Sequence, residues 1–209
     1  MAEIYRIGSD DLIDRVSTFG GTNLIKGTQN WDNPSWTVKN TTYLTLTSDV
    51  YENTTIAKII KSTSTSSYVD ILACNAVIVP EPNTWYTLSF WAKADAAISF
   101  ISYFYPTCVE DGRTNYGVNV NGKSATGSDG NTTTTLTTDW KRYAISWKTI
   151  ATVSGAKNLL LCRLLAATTG TCYFAGVKFE KGNKDTDWTP SPYDLVTYDS
   201  SNESLVFFQ

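Results

Sequence analysis

The residues in this chain that could do chemistry are aromatic rings set among hydroxyls, amides and a few cations. There is no histidine, which removes Ser-His-Asp and Cys-His nucleophilic catalysis and the common histidine metal sites together. Carboxylate pairs remain at Glu110/Asp111 and Asp185/Asp187. Glycoside hydrolysis needs two carboxyls several ångströms apart across a cleft, whereas neighbours in Gly/Asn-rich loops are ordinarily solvated turn residues, so an enzyme is not expected. What is left is 12 Tyr, 8 Phe and 7 Trp among abundant Thr, Ser and Asn. Ring faces stack on the C–H side of a sugar, and planar polar groups fork to its hydroxyls. Such a surface needs rings pointing out of the core beside Ser, Thr, Asn, Arg or Lys.

Period-two alternation, the mark of a strand with one buried side, locates candidate rings. In Trp85–Ala94 the apolar set is Tyr86, Leu88, Phe90, Ala92 and Ala94, with Thr87, Ser89 and Lys93 opposite. Trp91 falls on that polar face, where burial does not explain it. Tyr103 and Tyr105 project together from one side of the run Ile98–Tyr105. In Asn158–Ala166, Arg163 lies opposite Leu160, Cys162 and Leu164, so it projects outward if those three face inward. Trp91, Lys93, Tyr103, Tyr105 and Arg163 are therefore expected to line one concave face. The bland alternatives are a covering segment over Trp91, ordinary packing for the tyrosines, and an ion pair from Arg163 to Glu110 or Asp111. Trp31 and Trp36 flank Asn33-Pro34 and form a second candidate site at the sandwich edge, against a role as lids over the core. Trp85, Trp140, Trp147 and Trp188 read as core or tucked residues.

The elements that must position these residues are strands. Charged residues are 18% and apolar residues 42% of the 209, and Thr and aromatics suit a pleated, half-buried surface. Strands are expected near Tyr43–Thr47, Thr55–Ile60, Tyr68–Ala73, Trp85–Ala94, Ile98–Tyr105, Thr132–Thr137, Trp140–Thr149, Asn158–Ala166 and Thr171–Glu180. A short hairpin is expected around Tyr116–Val120 within a loop rich in Asp-Gly and Asn-Gly turns. Roughly ten short strands with regular turn signals indicate a sandwich. Residues 1–22 read as a lead-in, with a helical turn or two at Asp10–Val16. Residues 23–192 form the domain, and 193–209 a tail with a weak strand at Ser204–Phe208. Apolar ends at Ile4–Ile7 and Leu205–Phe208 suit pairing between copies, the feature of a structural connector or homo-oligomer.

A net charge of −3 without a basic run argues against nucleic acid. No apolar stretch approaches the roughly 20 residues of a membrane span, and the N-terminus lacks a signal-peptide layout. Asn40, Asn53, Asn131 and Asn202 head Asn-x-Thr/Ser triplets that matter only in a secretory pathway. Cys74, Cys108, Cys162 and Cys172 show no CxxC spacing. Cys162 and Cys172, on successive strands, admit a bridge; buried reduced thiols are the preferred reading.

Asn23-Leu24-Ile25, Trp85–Ala94 (WYTLSFWAKA) and Thr138–Trp147 (TDWKRYAISW) resemble the strands of jelly-roll carbohydrate-binding modules. Phe174–Pro192 (FAGVKFEKGNKDTDWTPSP) is similar to the close of such modules in bacteriophage tail, baseplate and tail-fibre proteins, where a strand ending Leu/Phe-Glu-x-Gly precedes Thr-Asp-Trp-x-Pro. The resemblance spans about residues 23–192. It implies an all-β, two-sheet antiparallel jelly-roll sandwich, non-catalytic, on a virion tail or baseplate and made in the host cytoplasm. The implied partners are bacterial cell-surface polysaccharide and other tail or baseplate proteins. No cofactor is required for such a role. Related modules often carry a structural calcium between first loop and last strand, held by carboxylates. Here Asn23, Lys26 and Gln29 stand where an acid is expected, leaving Asp32 and Glu180 as candidates.

Overall fold

The computed structural model describes residues 21–31, 36–38, 41–105, 109–110, 113–114, 119–120, 123–124, 132–149, 151, 153, 157–192, 194, 196–199 and 204–207. Every regular element among them is a strand: β1 (Trp36–Val38), β2 (Leu44–Tyr51), β3 (Thr54–Lys61), β4 (Val69–Ile78), β5 (Trp85–Ala94), β6 (Ile98–Tyr105), β7 (Val109–Glu110), β8 (Arg113–Thr114), β9 (Asn119–Val120), β10 (Lys123–Ser124), β11 (Thr132–Leu136), β12 (Lys141–Lys148), β13 (Lys157–Leu164), β14 (Gly170–Lys181), β15 (Val196–Asp199) and β16 (Ser204–Phe207). The nine longer strands expected from alternation and turn signals are all present. The short hairpin expected around Tyr116–Val120 lies slightly later in the chain, as β9 against β10. The expected helical turns at Asp10–Val16 and the apolar stretch Ile4–Ile7 lie outside the described residues.

Two antiparallel sheets form the sandwich. One has five strands in the order β1-β4-β13-β6-β11; the other has seven, β10-β9-β12-β5-β14-β3-β2. The tail strand β16 pairs with β15, Val196 opposite Phe207, as a separate two-stranded ribbon. Consecutive strands often change sheets: β5 lies in the larger sheet and β6 in the smaller, joined only by Asp95–Ala97. That arch brings the inner face of β5 onto the inner face of β6.

The core is aromatic. Phe100 of the smaller sheet lies 5.9 Å from Phe90 and 5.2 Å, edge-on, from Phe174 of the larger. Phe104 meets Phe179 at 4.9 Å and Trp147 at 6.3 Å. Tilted and edge-to-face ring pairs of this kind add about 0.5–1.5 kcal/mol each beyond the area they bury. Tyr86, Leu88, Phe90, Ala92 and Ala94 are all buried, as their alternation requires.

Cys162 and Cys172 lie on different sheets and are free thiols, as is Cys74; Cys108 lies outside the described residues. Burial pushes the Cys74 thiol from 9.0 up to about 12, and burial beside Cys172 pushes Cys162 well up too. An unfolded chain loses the Cys74 proton near pH 9, while the folded chain keeps it to about 12. Its share of stability is thus fully present below pH 9 and is lost as pH climbs towards 12. Urea midpoints taken across that window should fall less steeply for Cys74→Ala than for wild type. An unchanged slope would place the alkaline sensitivity elsewhere.

Candidate ligand-binding faces

The five residues expected on one concave face are divided by the structure. Trp91 and Lys93 stand on β5, in the seven-stranded sheet, while Tyr103 and Arg163 stand on β6 and β13, in the five-stranded sheet. Both pairs point away from the core, so they look out from opposite sides of the sandwich. The cause is the three-residue arch between β5 and β6, which alternation within a strand does not register. The side chain of Tyr105 lies outside the described residues.

On the five-stranded face, Arg163 is the hub. Its Nε donates to Asp70 Oδ1 at 2.5 Å and its Nη2 to Asp70 Oδ2 at 3.1 Å, across the paired strands β13 and β4. This bidentate partner replaces Glu110 or Asp111, the partners anticipated from sequence. The guanidinium carbon lies 4.0 Å from the centre of the Tyr68 ring and 5.0 Å from that of Tyr103, and Nη2 also reaches the Tyr103 hydroxyl at 3.4 Å. Burial alone would lower the Arg163 pKa; the bonds and charge of Asp70 outweigh it and hold the guanidinium above its ordinary value. Tyr68 is 56% exposed. The result is a guanidinium fixed by one carboxylate and flanked by two rings, of which Tyr68 is open to solvent.

Strict alternation reaches Arg163 by the wrong route. Register shifts in β13 put Leu160 opposite Tyr103 and Arg163 opposite Ile101, two residues apart on β6. Leu160 and Arg163 therefore share a face, although they stand at i and i+3, because a bulge adds one residue to the strand. Leu159, Leu161, Cys162 and Leu164 are the residues in the core cluster. Tyr68 and Asp70 were not singled out from sequence. Their spacing of two, leading into β4, is the signal that identifies them.

On the seven-stranded face, Trp91 is half-buried and partnered. Tyr51 meets it edge-on at 5.5 Å, and the Arg142 guanidinium lies 6.0 Å from its ring. Tyr51 stacks on Trp140 at 4.3 Å and 14°, so Trp140 packs on the outside rather than in the core. Gly176 makes this possible. Its φ of 55° sits at the β14 bulge, and a Cβ there would approach Trp91 Cδ1 to 3.0 Å.

Trp31 and Trp36 are buried against the core, as the lids weighed against a sugar site, and not presented at a surface. They are 6% and 7% exposed, pack edge-on at 4.8 Å, and donate their indole N–H groups to Thr55 O and Lys26 O. Both are lids over the core, with no free ring face to offer. Trp147 is in the core, and Trp188 is tucked, its Nε1 bonded to Thr28 Oγ1 and Val177 O.

The chain after β14 folds back over the rest of the seven-stranded face, which explains why Thr87 and Ser89 are buried instead of exposed. Lys178 Nζ donates to Thr186 Oγ1 at 2.6 Å and Asp187 O at 2.8 Å, with Glu180 Oε2 3.6 Å away. Glu180 accepts from Thr186 N and Thr186 Oγ1 at 2.8 and 2.7 Å. Desolvation lowers the Lys178 pKa, opposed by Glu180. A methyl at Gly21 would collide with the Glu180 carboxylate. Nearby, the Asn23 amide nitrogen bonds Thr28 Oγ1, Val177 O and Thr189 O, closing the first loop on the last strand.

Of the two carboxylates named for the calcium implied by the sequence resemblance, Glu180 is engaged within the protein. The Glu180 carboxylate is taken up by Thr186 and faces an ammonium, and the first loop is closed by a neutral amide. Among the described residues no cluster of three His, Cys, Asp or Glu side chains is placed to hold a metal. Asp32 lies outside the described residues.

No family model and no curated protein sequence matches the chain. Solved structures do. The CBM22-1 xylan-binding domain of Paenibacillus barcinonensis Xyn10C aligns at 13% identity and TM-score 0.52, over 80% of this chain and 98% of that one. The CBM22-1-GH10 modules of Clostridium thermocellum xylanase 10B, complexed with xylohexaose, align at 14% and 0.50, over 77% of this chain and 29% of that one. Tailspike protein 4 of bacteriophage CBA120 aligns at 17% and 0.49, over 77% and 22%, too low to bear on role. At these identities the likeness is one of fold: a jelly-roll sandwich of the kind found in carbohydrate-binding modules.

Proposed function

We propose that the chain is a non-catalytic glycan-binding module whose binding face is the outer side of the five-stranded sheet. The observation that carries this reading is the Tyr68–Arg163–Tyr103 cluster pinned by Asp70. Rings accept the apolar face of a pyranose, and the guanidinium N–H groups not taken by Asp70 and Tyr103 can donate to a sugar hydroxyl. Fixing these groups beforehand reduces the ordering cost of binding. The fold shared with xylan-binding modules supports the same reading. The sequence likeness of Phe174–Pro192 to phage tail modules supports the finer one: a virion tail or baseplate component that adheres to polysaccharide of the bacterial surface.

Affinity electrophoresis through gels containing neutral polysaccharides, together with binding to whole bacterial cells, tests this. Wild type should be retained by at least one such surface. Tyr68→Ala and Tyr103→Ala should each lose about tenfold or more in affinity, since aromatic contacts and their desolvated surroundings concentrate binding energy. Equal binding by both folded variants would overturn the site. A wild-type protein that oligomerises in solution and is retained by no glycan would instead make the sandwich a structural connector.

A further inference from the structure

The seven-stranded face carries a second arrangement that neutral-sugar binding does not use. Tyr173 stands in register with Lys58 on one neighbouring strand and Lys93 on the other. The two ammonium groups lie 5.8 and 5.2 Å from the centre of its ring, and Lys93 Nζ is also 5.6 Å from the Trp140 ring. Trp140 is fixed in turn by its stack with Tyr51. Four other cations stand in ion pairs: Arg142 with Asp185, Arg163 with Asp70, Lys178 with Glu180 and Lys181 with Glu81. Among the described residues Lys58 and Lys93 have no carboxylate in ion-pair contact. Burial, and after it the negative charge of nearby Asp95, raise the Tyr173 pKa above its ordinary value.

An ammonium over an exposed ring gains only about 0.5–1 kcal/mol, whereas a charge-assisted bond to a carboxylate is considerably stronger. The rings hold the two cations in place without satisfying them. Their strands are separated by one intervening strand, so the two lysine backbones are about 9–10 Å apart. That is close to the length of a disaccharide, and it matches carboxylates carried on alternate residues of an acidic chain.

We infer that the Lys58–Tyr173–Lys93 row is a second saccharide site, selective for uronic-acid polysaccharides and facing away from the Arg163 face. Ligand carboxylates would draw each ammonium off its ring while Tyr173 and Trp140 flank the sugar between them. With two sites on opposite sides of one sandwich, the module can bridge two polysaccharide chains.

The test uses the full chain in gels containing polygalacturonate, neutral xylan or inorganic polyphosphate, at low and high salt. Wild type should be retarded by polygalacturonate at low salt. The Lys58→Gln/Lys93→Gln double variant should bind it at least tenfold more weakly. Tyr103→Ala, on the opposite sheet, should keep that retardation, and the lysine variant should keep any neutral-glycan binding. These two results separate failure of this site from failure of the Arg163 face. Three outcomes would overturn the inference: no retardation of wild type by polygalacturonate, undiminished retardation of the double variant, or equal retardation by polyphosphate, which marks a charge effect without sugar recognition.

Discussion

Replacing Arg163 by lysine is expected to weaken neutral-glycan binding at least tenfold while leaving the sandwich folded. Lysine keeps the charge but not the planar fork, and it cannot both grip Asp70 at two points and lie flat beside two rings. The alanine variant should lose more, on the order of 30- to 100-fold, about 2–3 kcal/mol. The effect on stability should be smaller than on binding. Arg163 and Asp70 are each 16% exposed in their side chains, so solvent still screens the pair. Asp70→Asn provides the control, because it leaves the rings and the guanidinium present but frees the fork to wander. If Asp70 acts only through Arg163, the double variant should bind no worse than Arg163→Ala alone. Isothermal titration of the four proteins closes that cycle. Additive losses would mean that Asp70 meets the sugar itself. Unchanged affinity in Arg163→Lys and Arg163→Ala would remove the guanidinium from the site.

The parts of this molecule readable from sequence are those that depend on one strand at a time. Phe90 and its alternating neighbours declare an inner face because burial of apolar area acts on every second residue. Arg163 announces itself as an outward charge in an apolar strand. What sequence periodicity does not carry is the relation between strands. Nothing in Asp95–Ala97 states that the chain is leaving one sheet for the other, yet that change sets Trp91 and Tyr103 on opposite sides. Bulges are equally silent, and the one in β13 turns Leu160 to the same side as Arg163. Long-range capping is silent too. Lys61 occupies an inward position beside Ala57 and Ile59, where a lysine looks misplaced, until Ala166 O and Thr168 O, at 2.7 and 2.6 Å, are found around its ammonium. Nor does the loop-like context of Trp31 and Trp36 announce their indole acceptors, Thr55 O and Lys26 O, which lie in other segments of the chain.

Lys178 is the sharper case of the same kind and gives the largest expected loss of stability. Lys178→Met should cost about 3–5 kcal/mol, because it strips the counter-charge from Glu180 inside the protein. Glu180 would keep its bonds from Thr186, but a buried carboxylate without a cation remains expensive. The segment that ends in Trp188 would then lose its anchor at Thr186 Oγ1 and Asp187 O. Pairing the change with Glu180→Gln should restore most of the loss, since removing both charges removes both desolvation penalties. Urea denaturation of the two single variants and the double variant measures this directly. Recovery would identify charge balance as the cause; a double variant as unstable as Lys178→Met would identify lost hydrogen bonds instead. Alkaline pH supplies a second readout. Burial holds the ammonium's pKa below the 10.5 of an unfolded lysine, so as pH rises towards 10.5 the folded chain carries fewer protons at this residue. Its contribution to stability therefore grows with pH there, against the trend from Cys74. Because the Glu180 carboxylate is already engaged by Thr186 and the Lys178 ammonium, chelators are expected to leave the wild-type midpoint unmoved, and a chelator-induced drop would mean that a metal is bound.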